Sequence, residues 1–522
     1  MEWVPIRNVV VAVIMMSAAC TRAENLLRNP GFESGGAGDV ASWSVPSYWS
    51  GKLQPVTEGA HRGKRSVRLT PGESRGRVWG RMLHKGTFPV ELAQPMRFSV
   101  WARGRGALLL GVIRYTKRVD DKPNYHYLWQ EPAVSLTQQW QEVSFGFTVD
   151  DPRFLRFACC IELQGDSAEA ILDEVALGKA VPDDMAGRVQ PAHPMVPAAG
   201  RVDIEVRLTR PSGAPPPEGP VTVLSIPPEG GTVSRSSVEL DAGGGCTYAF
   251  SPGPGAVGLW KIVLAHPAGG WARTLYADVL PAPEYALFES VAKDLPALSS
   301  PPHYLFLGDS LTDMFRGHNY VDKIGFWLQA AYGPKATVRN AGVGGDFITR
   351  VWDRLNRKPG TYRQAMYEGL FEPSPDRTFV FLGHNDSKAS SRSNYTSHCV
   401  DPETFRRLYA STLEKLKEKT TGPVTVLTST SSVYEITAES ARKRREAGKP
   451  HNLFGKPEHL ELFNRIAMDV AQKAQCDVLD VYGPTRDAED KKSLFTPDGV
   501  HVGNRGNRLL ALLILRHLTA QQ

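Results

Sequence analysis

Tyr304-Leu305-Phe306-Leu307-Gly308-Asp309-Ser310-Leu311-Thr312-Asp313 is an apolar run that stops at a glycine and then turns polar. A buried strand entering a tight turn has this pattern, and such a turn exposes a serine hydroxyl at the top of a sheet. From here to the C-terminus, short apolar runs alternate with longer amphipathic stretches. Strands are expected at Tyr304–Leu307, Thr337–Asn340, Thr378–Leu382, Val424–Thr428 and Val478–Val481. Helical periods fall at Tyr320–Ala331, Phe347–Leu355, Thr404–Lys419, Glu458–Gln475 and Asn507–Leu518. This alternation builds a parallel sheet with helices on both faces, whose ligands sit beyond the carboxyl ends of the strands.

Four motifs lie at strand ends or before a helix. Gly308-Asp309-Ser310 could present a nucleophile, or simply cap a helix. Asn340-Ala341-Gly342-Val343-Gly344-Gly345-Asp346 is a glycine-rich turn whose backbone can approach a ligand, or a plain loop. In Gly383-His384-Asn385-Asp386 the Asn385 amide could donate to a developing oxyanion, or the residues could form an Asx turn. In Asp498-Gly499-Val500-His501 the carboxylate can orient the imidazole through Nδ1 and leave Nε2 as a base, or cap a turn.

Taken together and in this order, the four motifs resemble the SGNH/GDSL hydrolase family over about residues 303–520, with Phe495-Thr496-Pro497 and Gly503-Asn504-Arg505-Gly506-Asn507 in support. The resemblance implies a flavodoxin-like three-layer α/β fold and an ester hydrolase without cofactor or metal. It implies Ser310 as nucleophile, His501 as general base and then acid, and Asp498 as the group that orients His501. The oxyanion hole would be the backbone N–H of Ser310 and of Gly345 with the side-chain amide of Asn385. Gly344 competes with Gly345, which the family pattern favours. His384 is expected on a solvent-exposed loop, with a substrate-facing position as the alternative. Two long polar segments, Ser387–Asp401 and Tyr434–Pro457, would shape specificity.

Upstream the pattern is all β. From residue 24 to 180, runs such as Arg65–Leu69, Met96–Ala102, Leu108–Tyr115, Glu142–Val149 and Ala170–Leu177 alternate between Gly, Pro and Asp breaks, as in a β-sandwich. The opening Asn25-Leu26-Leu27-Arg28-Asn29-Pro30-Gly31-Phe32-Glu33 and the closing Ile171-Leu172-Asp173-Glu174-Val175 resemble secreted carbohydrate-binding jelly-roll modules. Trp43, Trp49, Trp101, Trp129 and Trp140 could supply a sugar platform, with Trp101 and Trp140 expected in the core. The alternative is a structural appendage of the same fold. Residues 186–283 read as a smaller immunoglobulin-like sandwich acting as a spacer, and residues 296–522 as the hydrolase unit.

Composition narrows the class. The 522 residues carry 61 Lys and Arg against 55 Asp and Glu, a net charge of +6 spread along the chain, which offers no basic stripe for nucleic acid. The one basic run, Arg442-Lys443-Arg444-Arg445, reads as a solvated helix face or loop. Cys20, Cys159, Cys160, Cys246, Cys399 and Cys476 lack metal-type or disulfide-framework spacing and read as buried free thiols. Arg7 followed by the apolar Val9–Met16 has the shape of a secretory signal over residues 1–23, too short to span a bilayer. Ser17-Ala18-Ala19-Cys20 resembles a lipoprotein box except at Ser17, so a lipid anchor on Cys20 is the alternative to a secreted or periplasmic protein.

These readings combine into an exported serine esterase removing O-acetyl groups from a polysaccharide. The rival readings are a lipid or small-ester hydrolase, which would need an apolar acyl tunnel, and a non-catalytic glycan-binding protein.

Overall fold

The computed structural model describes residues 25–520, apart from 36–39, 47–48, 75–76, 117–124, 150, 181–184, 211–212, 214–217, 229–231 and 267–269. The expected signal segment and Cys20 lie outside the described residues.

The N-terminal unit is antiparallel and is organised by two long strands, Met96–Thr116 and Phe154–Lys179, which pair along most of their length. The sequence pattern divides each of these into shorter runs because glycines interrupt the alternation. In the structure those glycines bend continuous strands instead of ending them. At Gly104, φ is +143° and a Cβ would lie 1.9 Å from the Glu169 carbonyl oxygen, so only glycine permits the close crossing. Trp43, Phe98, Leu110, Val112, Cys159, Ile161 and Leu172 fill the core.

The opening and closing motifs tie this unit together. The Asn25 amide donates to the Val175 carbonyl at 2.9 Å, and its oxygen accepts from the Leu177 N–H at 3.1 Å. Glu33 accepts from the Lys64 and Arg65 N–H groups at 2.8 and 3.1 Å, and Asp173 from the Arg62 N–H at 3.0 Å. Trp101 and Trp140, expected in the core, are instead half-buried. They pack on His61 with ring centroids 4.0 and 5.4 Å away, Trp101 from strand Met96–Thr116 and Trp140 from the residue just before strand Gln141–Phe147.

The middle unit packs a three-stranded sheet (Ala186–Gln190, Val202–Thr209, Gly245–Phe250) on a five-stranded one (Met195–Pro197, Val221–Ile226, Ser234–Val238, Gly258–His266, Trp271–Leu280). Val206, Leu208, Val223, Ile262, Leu275 and Val279 are buried between them.

The C-terminal unit begins earlier than its first strand. Helix α1, Ala282–Lys293, starts within the Pro281-Ala282-Pro283 stretch that reads as punctuation in the sequence. Proline in a first turn costs no hydrogen bond, so the same residues serve as a helix start. Helix α2 (Tyr320–Tyr332) follows a capping box of Asn319 and Asp322. Helices α3 (Ile348–Leu355), α4 (Pro402–Lys419), α5 (Tyr434–Glu446), α6 (Pro457–Lys473), α7 (Tyr482–Arg486) and α8 (Asn504–Thr519) complete the set. They surround a five-stranded parallel sheet in the spatial order Thr337–Gly342, His303–Gly308, Arg377–Phe381, Val424–Leu427, Asp477–Leu479.

Alternate residues of these strands feed two separate cores. Phe306, Phe379 and Phe381 pack with α1, α2 and α8, and Leu305, Leu307 and Val380 pack with α3, α4 and α6. Among the described residues no helix is long and apolar enough to cross a membrane.

Most of the polar segment Tyr434–Pro457, which is not among the expected helices, forms helix α5, and its basic run lies on a solvated helix face. Arg442 pairs with Glu439 and Glu446, and Lys443 with Glu439, at helical spacing on an exposed face. With only Thr437 and Ala441 buried, the segment has almost no apolar period to betray it. The cysteines also differ from expectation: Cys159 and Cys160 are buried, Cys246 and Cys476 are half-buried, and Cys399 is exposed.

A buried ion network joins the middle and C-terminal units. Asp278, on strand Trp271–Leu280, accepts from Lys323 of α2 at 2.6 Å and from Arg508 of α8 at 2.7 and 2.9 Å. Asn504, at the start of α8, bonds both Asp278 (2.7 Å) and Lys323 (2.9 Å).

Candidate active site

Ser310 follows strand His303–Gly308 in a turn held by Asp309. The Asp309 carboxylate accepts the Leu311 N–H at 2.9 Å, and its carbonyl accepts the Thr312 and Asp313 N–H groups at 3.1 and 3.0 Å. Ser310 Oγ lies 2.9 Å from His501 Nε2, although the two residues are 191 positions apart. His501 Nδ1 lies 2.7 Å from Asp498 Oδ2. The other Asp498 oxygen accepts from Thr496 Oγ1 (2.8 Å), the Val500 N–H (2.9 Å) and the His501 N–H (3.0 Å). Burial alone would raise this carboxyl, but the His501, Val500 and Thr496 donors outweigh it and keep Asp498 ionised well below the ordinary carboxylate range.

The glycine-rich turn is pinned at both ends. The Gly344 N–H donates to Asp313 Oδ2 at 2.8 Å, and Asp313 is also held by Arg363 at 2.9 Å. Asp346 and Arg354 form a fully buried pair with contacts of 2.6 and 3.1 Å. Between these anchors Gly345 has φ +77°, a left-handed conformation that favours glycine. The N–H groups of Ser310 and Gly345 have no acceptor among the described residues, whereas that of Gly344 is occupied. The geometry therefore favours Gly345 over Gly344 as a donor to a ligand.

Asn385 is buried with its amide orientation set from both sides. Its Nδ2 donates to Asp309 Oδ2 at 3.0 Å and its Oδ1 accepts from Lys388 Nζ at 3.2 Å. One amide N–H remains for a ligand. Burial pushes the Asp309 carboxyl up to about 6, against the lowering effect of its Leu311, His501 and Asn385 neighbours. Sequence reading misses this role of Asp309, although its place directly before Ser310 is the available signal. If the remaining Asn385 amide N–H meets a developing oxyanion, Asn385→Ala should lower kcat by roughly a hundred- to a thousandfold. Steady-state kinetics on a soluble ester would check this, and an unchanged kcat would remove Asn385 from the hole.

His384 departs from expectation. It is only 2% exposed, with Nε2 2.9 Å from Ser432 Oγ. Burial, with the nearby His501 and Lys388 charges, lowers its pKa to about 4, and it is a buried residue rather than an exposed loop residue. Its neighbour Asp386 is also buried and accepts the Ile348 N–H at 2.8 Å. Burial pushes the Asp386 carboxyl up to about 7. Because this folded value lies above the unfolded one, ionisation costs stability as pH rises from roughly 4 to 7. Asp386→Asn should therefore be more stable than wild type at pH 8. The gain should disappear as pH falls towards 4, as thermal melts across that range would reveal.

A second cluster lies on the N-terminal unit. Arg81 sits among Trp49, Trp79, Tyr127 and Trp129, with its guanidinium carbon 4.5–5.1 Å from their ring centroids, and it also bonds Glu162 at 2.8 Å. Tyr127 and Trp129 are stacked at 5.5 Å and 6°. All four rings are half-buried. Trp49 and Trp129 are among the tryptophans singled out from sequence, whereas Trp43 is core. Trp79 and Tyr127 are additional, and their signal is alternation with Arg81 and Trp129 along strands Arg77–His84 and Tyr125–Trp129.

Residues 306–509 match the model of the GDSL-like Lipase/Acylhydrolase family, and residues 24–165 match that of a Carbohydrate binding domain. A comparison with curated proteins finds no match. Among solved structures, a lipase/acylhydrolase from Enterococcus faecalis is 20% identical, with 42% of this chain and 96% of that chain covered and a TM-score of 0.32. An alpha/beta hydrolase enzyme from the metagenome of Lake Arreo is 18% identical, covering 43% and 97%, with a TM-score of 0.31. The CBM22-1 xylan-binding domain of Paenibacillus barcinonensis Xyn10C is 18% identical, covering 28% and 90%, with a TM-score of 0.22. The chain thus carries a GDSL-like lipase/acylhydrolase domain at its C-terminus and a carbohydrate-binding domain at its N-terminus.

Proposed function

We propose that the protein is an exported serine esterase that removes O-acetyl groups from a polysaccharide. The observation that carries this reading is the Ser310–His501–Asp498 relay, with links of 2.9 and 2.7 Å, beside two backbone N–H groups that lack acceptors among the described residues. A serine hydroxyl is a weak nucleophile until a neighbouring base removes its proton. Here Asp498 orients the imidazole through Nδ1–H, and Nε2 takes the Ser310 proton as Oγ bonds to the acetyl carbon. The resulting oxyanion accepts from the Ser310 and Gly345 N–H groups and the Asn385 amide. Collapse breaks the bond to the sugar oxygen, which leaves with the proton held by His501. Water then attacks the acetyl-enzyme by the same route, releasing acetate and restoring Ser310.

The carbohydrate part of the reading is supported by the company of the N-terminal domain and by its four-ring cluster, since flat aromatic faces stack on sugar rings. We read the middle unit as an immunoglobulin-like spacer and the hydrolase unit as a flavodoxin-like three-layer fold.

The test is acetate release by the full chain from a panel of acetylated polysaccharides, with p-nitrophenyl acetate and octanoate alongside. Acetate from a glycan is expected. Octanoate cleavage with silent glycans would move the reading to a lipid or small-ester hydrolase. Glycan binding without turnover of any ester would leave a non-catalytic glycan-binding protein.

A further inference from the structure

A cavity of about 490 Å³ opens beside the triad, with His501 and Asp498 in its wall. Its volume lies within the usual range of small-molecule sites, roughly 300–1,000 Å³. The two polar segments noted in the sequence build its rim. They are stitched by the antiparallel pair Ala389–Ser390 and Asn452–Leu453, and by the Ser391 N–H donating to the His451 carbonyl at 3.0 Å. From one segment comes Arg392, and from α5 comes Arg444.

The charge balance of this cavity is one-sided. Among the described residues neither guanidinium has a carboxylate partner: Arg444 reaches the Pro450 carbonyl at 3.5 Å, and Arg392 bonds through its backbone N–H to Ser390. Of the three acids of α5, Glu439 and Glu446 pair with Arg442 and Glu439 also with Lys443, Glu435 lies near Lys491, and none of the three lines the cavity. The one acid in the lining, Asp498, is committed to His501. Lys388 lies over the Phe454 ring that lines the cavity, while its Nζ donates to Asn385 Oδ1.

Location gives these charges a role. In the reaction proposed above, the leaving oxygen must face His501 Nε2 to take its proton. The alcohol side of the ester, the sugar, therefore lies against the wall that His501 forms, in the cavity that Arg392 and Arg444 also line. Guanidinium groups bind oxyanions by setting paired N–H donors against two of their oxygens, so Arg is suited to carboxylate or sulfate recognition.

We propose that this cavity is an acidic-sugar subsite, in which Arg392 and Arg444 hold the anionic group of a glycan residue at or next to the acetylated one. This rests on the esterase reading and narrows its substrate class to acetylated acidic polysaccharides.

Calorimetric titration of the full chain with an oligogalacturonate, its methyl ester and a sulfated oligosaccharide of equal length tests the subsite without turnover. The acidic oligomer should bind. Methyl esterification should weaken binding, and the Arg392→Ala/Arg444→Ala protein should bind at least about tenfold more weakly, as expected when charge-assisted hydrogen bonds are lost. Stronger binding of the carboxylated or of the sulfated oligomer identifies the anion. Equal binding of acid and methyl ester, or no effect of the double substitution, would overturn the proposal. Acetate release from acetylated polygalacturonate, measured on the same protein, separates the two ideas. Binding without release would retain the subsite and sink the esterase. Release only from neutral glycans would do the reverse.

Discussion

Ser310→Ala is expected to abolish ester turnover, lowering kcat by roughly a millionfold while leaving the fold intact. Among the described residues Ser310 Oγ has a single partner, His501 Nε2 at 2.9 Å, so its removal breaks no other contact of the turn. The turn itself is kept by Asp309, whose carboxylate and carbonyl hold the N–H groups of Leu311, Thr312 and Asp313. The Ser310 N–H, which belongs to the backbone, survives the substitution. A residual rate above that of water should therefore remain from the donors of the oxyanion hole. His501→Ala should cost about as much, and the double variant little more, because the proposed nucleophile and base would act as one unit. Circular dichroism would verify folding, and p-nitrophenyl acetate kinetics would give the rates. Retention of wild-type kcat in a folded Ser310→Ala protein would remove Ser310 from the mechanism.

The hydrolase unit is legible because its signals are local. Each sheet strand is a short apolar run, and each motif sits where such a run ends. All five expected strands occur with shifts of a few residues at their ends. Pairing of Ser310 with His501 could be inferred only through resemblance, because a contact across 191 positions leaves no periodic trace. What escaped notice has physical causes. Helix α5 is held by exposed ion pairs rather than an apolar face. The glycine bends at Gly104 and Gly165 look like breaks until their partner strands are known. The burial of His384 depends on Phe454, seventy positions later, stacking against it. The least visible feature is the bond between domains, since one aspartate on a β-strand carries no hint that a lysine and an arginine of another unit will close on it.

Asp278→Ala is therefore expected to damage the hydrolase unit from outside it. The substitution leaves the Lys323 side chain, fully buried, and that of Arg508, 8% exposed, without their shared counter-ion. Removing one partner of a buried ion pair typically costs about 3–5 kcal/mol, far more than the pair's net worth. For a unit of this size that corresponds to a fall in Tm of about 10 °C. The loss should reach the chemistry as well, because Asp278 also holds Asn504 at 2.7 Å, at the start of α8 and just beyond His501. A loosened α8 start should lower kcat for ester cleavage by misplacing the imidazole. The pH dependence carries a distinct signature. Burial would raise the Asp278 carboxyl, but Lys323 and Arg508 outweigh that and hold it well below the ordinary carboxylate range. Its contribution to stability is then complete above the unfolded value of roughly 4 and is lost only as pH falls through the lower folded one. The Tm gap between wild type and Asp278→Ala should thus stay constant from pH 5 to 8 and narrow only in stronger acid. A gap that closed near neutrality, or a variant as stable and active as wild type, would mean that the middle unit does not support the hydrolase through this contact.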